Sequence, residues 1–132
     1  MKAHRISAIT LFVKNMDISC KFYSTIPSFR LACGSASDSF TTYEIGEGSK
    51  MYLNLELRNE DNKKDFGRII FHTFNVDELY AYLKKDYNIS KLGSFENEPT
   101  NASWGERFFH MRDPDGYQIS FAMPIKHIAH VR

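Results

Sequence analysis

Two stretches of this chain repeat one local design, and that repeat limits the possible folds more than any other feature. ITLFVKNMDISCKFY runs from Ile9 to Tyr23 and HTFNVDELYAYL from His72 to Leu83. Each passes from an alternating strand, through a turn bearing acid or amide side chains, into a helix with paired aromatics. With Val13 laid on Val76, Thr10 meets Thr73, Leu11 meets Phe74 and Met16 meets Leu79. A duplicated unit of this size cannot bury its sheet alone. The two copies are therefore expected to pair, cover their helix-side apolar faces and curve the opposite faces around a shared cleft.

The remaining segments complete each copy. Ile6 to Val13 is expected to be a strand, with Ile9, Leu11 and Val13 alternating against Ala8, Thr10 and Phe12. A helix follows from about Ser19 to Thr25, capped by Asn15 or Asp17 and stopped by Pro27. Strands are predicted at Phe29–Cys33, Phe40–Ile45 and Lys50–Leu57. Arg58 to Phe66 is polar, with mixed charges and no apolar period, and serves as a solvated linker. The second copy starts with a strand from Arg68 to Val76 and a helix opened by Asp77-Glu78-Leu79, whose apolar face is Leu79, Tyr80, Tyr82 and Leu83. A weak strand is expected at Ile89–Leu92, then an irregular loop through Pro99.

WGERFFHMRDPDGYQISFAM, Trp104 to Met123, closes the second copy as a hairpin. Asp113-Pro114-Asp115-Gly116 puts proline where a turn needs φ near −65° and glycine where φ must become positive. On either side, Phe109, Met111, Ile119, Phe121 and Met123 alternate with Phe108, His110, Arg112, Gln118, Ser120 and Ala122. The expected class is α+β, with module one over about 5–58, a linker at 59–67, module two over about 68–124 and a tail at 125–132.

Bulk properties narrow the function. The 132 residues suit a single domain built of two similar halves, and a net charge of +1 gives no electrostatic reason to bind nucleic acid or an acidic membrane. No apolar run approaches the roughly 18 residues of a membrane span, and the N-terminus lacks a signal-peptide core, so a cytoplasmic protein is expected. Cys20 and Cys33 match no zinc spacing and are expected to be buried free thiols. There is no phosphate-binding glycine loop and no nucleophile elbow.

The segments ITLFVKNMDISCKFY, HTFNVDELYAYL and WGERFFHMRDPDGYQISFAMPI together resemble the vicinal oxygen chelate superfamily, the glyoxalase I, bleomycin-resistance and extradiol dioxygenase group. The likeness runs from about Ile6 to Pro124. It implies two β-α-β-β-β modules forming an open, cupped mixed sheet around a ligand cavity, commonly completed in a homodimer. Enzymes of the group hold a divalent metal with His and Glu side chains. By the resemblance those ligand positions fall here on Ala8, Phe71 and Ser120, with a fourth near Asn54 or Glu56. Ala and Phe cannot coordinate, and neutral Ser is a poor ligand. No metal and no cofactor are therefore expected.

His72 lies one position from an expected ligand, which on this register sends it to the helix side; a shifted register would make it a ligand. His110 falls on the cup face, as a ligand contact, an acid–base group or a wall residue. His127 and His130 in the tail lack a third ligand. The expected cup lining is Thr10, Phe12, Tyr52, Asn54, Glu56, Phe71, Thr73, Trp104, Phe108, His110 and Ser120. Aromatic rings with a few directional polar groups form the usual lining of a small-molecule pocket. The expected function is metal-free binding of a small aromatic or cationic molecule, with antibiotic sequestration as one form. The alternatives are a lyase, isomerase or dioxygenase of the glyoxalase group with divergent ligands, and a scaffold that has lost its ligand.

Overall fold

The computed structural model of the chain describes residues 1–3, 5–59 and 66–125. The chain separates into two compact units, Met1–Asp61 and Asn62–Arg132. Most of the predicted linker, residues 60–65, and the tail carrying His127 and His130 lie outside the described residues.

The first unit has the predicted element order. Strand β1 (Ala8–Val13) leads to helix α1 (Met16–Thr25), followed by β2 (Phe29–Cys33), β3 (Phe40–Ile45) and β4 (Met51–Leu57). Helix α1 begins three residues before the expected start, because Asn15 is the N-cap and its Oδ1 accepts from the Ile18 N–H at 3.0 Å. The sheet order is β1-β4-β3-β2, with β1 parallel to β4 and the other pairs antiparallel. Leu11, Val13, Leu53, Leu55 and Tyr43 form the buried sheet face against Met16, Cys20, Phe22 and Tyr23 of α1. Tyr43 donates to the Cys20 carbonyl and shares a 2.7 Å bond with Ser24, while burial pushes its phenol far above the usual range. The chain passes Gly34 at φ +80°, where an added Cβ would lie 2.4 Å from the Phe40 carbonyl oxygen. Of the two free thiols, Cys20 is buried as expected but Cys33 is exposed on the edge strand.

The second unit repeats this topology with two changes. Strand β5 (Arg68–His72) is shorter than predicted and precedes α2 (Val76–Lys85). The stretch Ile89–Leu92, expected as a strand, belongs instead to a second helix, α3 (Tyr87–Leu92). Asp86 caps α3 by accepting from the Ile89 N–H at 3.1 Å, and Ile89 is fully buried. The third strand position is filled by two short pieces, β6 (Ser94–Phe95) and β7 (Thr100–Asn101), both pairing with β8 (Glu106–Arg112). Strand β9 (Gln118–Pro124) lies between β8 and β5, antiparallel to the first and parallel to the second.

The hairpin between β8 and β9 is as predicted. The Asp113 carboxylate accepts from the Asp115 and Tyr117 N–H groups, each at 2.9 Å, and Gly116 takes φ +92°. Phe109, Met111, Ile119 and Phe121 are buried on one face, where Tyr80 of α2 meets Phe109 at 5.2 Å between ring centroids. Tyr82, expected on the apolar face of α2, is 53% exposed.

The helix caps correct the repeat itself. Asn75 caps α2 as Asn15 caps α1, each accepting from the N–H three residues on. The equivalent residues are therefore Asn15 and Asn75, so Ala8 corresponds to Arg68 and Phe12 to His72, not Val13 to Val76. Val76 resembles Val13 in type, but it is the first helical residue and not a strand residue.

Candidate functional site

Each sheet has one face turned away from its helix, and the strand register decides what that face carries. In the first unit β1 and β4 align Ala8 with Tyr52, Thr10 with Asn54 and Phe12 with Glu56. These predicted lining residues do share one face, and β3 adds Phe40, Thr42 and Glu44 beside them. Their polar groups satisfy one another. Thr42 donates to Asn54 Oδ1 at 2.8 Å, and Asn54 donates to Thr10 Oγ1 at 3.2 Å. Arg58 holds Glu56 at 2.6 Å and lies 4.5 Å over the Phe12 ring. Glu44 is bracketed by Lys50 and Arg30, and Lys50 first, then Arg30, holds its carboxyl below the usual range. Glu56 already has a cation.

In the second unit β5 and β9 align Arg68 with Gln118, Ile70 with Ser120 and His72 with Ala122. Strand β8 then sets Arg112 beside Gln118, His110 beside Ser120 and Phe108 beside Ala122. The open face is thus three strands wide. Two expected lining residues leave it. Phe71 lies on the helix side, its ring stacked on Phe121 with centroids 5.5 Å apart. Thr73 lies just past β5, its N–H bonded to the Ala122 carbonyl. His72, expected on the helix side, is on the open face, and its expected neighbour Phe74 is 90% exposed. A one-residue change of phase reverses every side chain of a strand.

Along β8 the open face carries a row of rings. Trp104 is 55% exposed and stacks on Phe108 at 6.2 Å, with ring planes 19° apart, and Phe108 meets His110 at 4.6 Å. Glu106 accepts from the Trp104 indole N–H at 2.9 Å. Ser120 is buried and spends its hydroxyl on the Phe109 carbonyl.

Beyond His110 comes a polar chain that sequence reasoning did not assemble. Arg68 donates to Gln118 at 2.8 Å, Gln118 donates to Glu96 at 2.7 Å, and Arg112 donates to the other Glu96 oxygen at 3.0 Å. Gln118 first, then Arg112, holds the Glu96 carboxyl below its usual range. Arg68 was not legible, because the successive apolar residues Ile69, Ile70 and Phe71 leave the face of this strand undefined. Glu96 enters from an irregular loop where no period exists.

His110 has a buried Nδ1 with no hydrogen-bond partner among the described residues. Its backbone is fixed on both sides: Asn97 accepts its N–H at 2.8 Å, and its carbonyl accepts from Glu96 N–H. Burial first, then Arg68 and Arg112 against the opposing Glu96, holds the imidazole below its usual range. The unfolded chain takes up a proton near pH 6.5 that folded His110 resists. Its contribution to stability is therefore present above about pH 6.5 and declines as pH falls toward the folded value. His110→Gln is expected to flatten the fall in Tm between about pH 6.5 and 5. An unchanged profile would mean that the imidazole is not desolvated.

The metal positions expected by the resemblance are Ala8, Ser120 and Asn54 or Glu56, and the helix-cap correspondence moves the one expected at Phe71 to Arg68. A methyl, a guanidinium, a bonded hydroxyl and either a bonded amide or a carboxylate already paired with Arg58 are a poor donor set for a divalent ion. Among the described residues no three His, Cys, Asp or Glu side chains come together as a metal-binding group. No helix among them is long and apolar enough to cross a membrane.

Comparison with known proteins agrees with this architecture. The family model described as the Glyoxalase/Bleomycin resistance protein/Dioxygenase superfamily matches residues 5–121. A superfamily member from Sphaerobacter thermophilus is 24% identical, with a TM-score of 0.68 over 91% of this chain and 97% of its own. An integron cassette protein from the Halifax Harbour sewage outfall metagenome is 20% identical, with a TM-score of 0.70 over 91% and 98%. A glyoxalase/bleomycin resistance protein/dioxygenase from Nocardioides is 16% identical, with a TM-score of 0.69 over 96% and 87%. No curated protein sequence is significantly similar to this chain.

Proposed function

The chain belongs to the glyoxalase/bleomycin resistance protein/dioxygenase superfamily, and from that premise we propose that it is a metal-free binder of a small aromatic molecule. Such a protein acts by holding its ligand, as a sequestering resistance protein does, and needs no turnover. The observation that carries this reading is the row Trp104–Phe108–His110, an exposed indole stacked on a partly covered phenyl ring beside a half-buried imidazole. A flat ring laid against it gains offset stacking, and burying apolar surface adds to that. The donor set described above supports the metal-free part. A cationic ligand is less well served, because Glu56 is bridged by Arg58 and Glu96 by Arg112.

Trp104 is the only tryptophan, so its fluorescence reports directly on this face. Saturable quenching by aromatic probes is expected, unchanged by a chelator. Phe108→Ala should weaken it roughly tenfold, the value of about one stacking contact. One tightly held ion per chain in protein purified without a histidine tag, with probe binding lost on chelation, would overturn this reading.

A further inference from the structure

The two open faces differ in what they leave unused. On the first, each charged and amide side chain of the lining is already bonded to a neighbour. On the second, Arg68 is partnered only by the neutral Gln118 among the described residues, so its charge meets no carboxylate. Arg112 on that face is paired with Glu96, and Glu106, at the opposite end, accepts from the Trp104 indole. His110 is held toward its neutral form, so among the described residues of that face the positive charge without a carboxylate partner is that of Arg68.

Position then restricts the ligand further. Phe108 and Arg68 are four residues apart along the sheet and two strands apart across it. In an ideal sheet that places their Cα atoms on the order of 16 Å apart. The straight path between them crosses Ser120, whose buried hydroxyl is bonded to the Phe109 carbonyl, with Ile70, 42% exposed, and Ala122 on either side. A compact ring bearing its charge directly cannot span that distance, even with the arginine extended toward it.

We infer that the ligand is an elongated aromatic acid, its ring against Trp104 and Phe108 and its carboxylate at Arg68, joined by an apolar spacer that crosses the already bonded Ser120 beside Ile70. This rests on the aromatic-binding reading and adds the charge and length of the molecule. The guanidinium offers the carboxylate paired N–H donors, and the bound anion draws the His110 imidazole toward its protonated form.

The test uses naphthyl probes joined through one to about five methylenes to a carboxylate, a carboxamide or an ammonium group, each titrated against Trp104 fluorescence. Carboxylates with about four methylenes should bind roughly tenfold to a hundredfold tighter than the matched carboxamides, the range for a hydrogen bond to a charged group. Arg68→Gln should remove that advantage, bringing carboxylate and carboxamide to similar affinity, while Arg68→Lys should restore part of it. Arg68 is exposed at the first residue of β5, and an unchanged Tm serves as the folding control. Equal binding of carboxylate and carboxamide, preference for the ammonium, or no dependence on spacer length would overturn the acid and leave the aromatic reading standing. Binding by none of the three series would overturn both.

Discussion

Phe109→Ala is expected to destabilise the unit Asn62–Arg132 by about 3–5 kcal/mol, the usual cost of emptying a buried phenylalanine site. Phe109 is fully buried on the helix side of β8. Its ring meets those of Tyr80 at 5.2 Å, Phe121 at 5.3 Å and Phe95 at 6.2 Å. Those neighbours come from a helix, the central strand and the short edge strand, so the cavity removes contacts that join three elements. Large rings cannot collapse into a gap of that shape without leaving their rotamers, and relaxation should recover little. Phe109→Leu keeps most of the volume and should cost about 1.5 kcal/mol. Urea unfolding followed by Trp104 fluorescence reports on this unit, because the first unit has no tryptophan. A loss under 1 kcal/mol for the alanine variant would mean that the ring cluster does not hold α2 to the sheet.

Asp113→Ala is the second large effect, at about 3 kcal/mol, because two backbone donors lose their acceptor in a buried turn. The carboxylate is 3% exposed and accepts from both Asp115 and Tyr117 N–H groups. Water cannot easily replace it, since Tyr117 is itself buried. Asp113→Asn retains an oxygen in the same place and should cost about 1 kcal/mol, reflecting the weaker neutral bond. The comparison separates the acceptor from the charge. Equal losses in the two variants would show that the charge, not the acceptor geometry, holds the turn. Hydrogen exchange at Tyr117 should accelerate in the alanine variant, as the hairpin that positions Phe108 and His110 opens.

The changes of phase explain where the sequence misled. RIIFHTF has apolar residues at Ile69, Ile70 and Phe71 in succession, so no alternation marks which face is which. Aligning Val13 with Val76 matched residue type while the backbone had already entered the helix at Val76. The Asn-x-Asp pattern at Asn15 and Asn75 was the better anchor, because an N-cap is fixed by geometry and a hydrophobic residue is not. In the same way NISKL fits a helix turn or a short strand. Asp86 as a cap and the burial of Ile89 resolve it as a helix.

What the sequence by itself determined was the local structure wherever a turn signal or a clean alternation was present. The bounds of β2 and β3, the caps at Asn15 and Asp113-Gly116, the hairpin alternation and the open face of β1 and β4 follow from turn chemistry and a clean period of two. These rest on interactions between residues a few positions apart. Tertiary structure alone decided the face of β5, and with it the site. Parallel pairing with β9 set Arg68 and His72 outward and Phe71 inward, and a loop distant from both strands supplied Glu96. Parallel registers join segments some fifty residues apart, and no local preference can fix them; they are set by which of two apolar faces packs better on the helix.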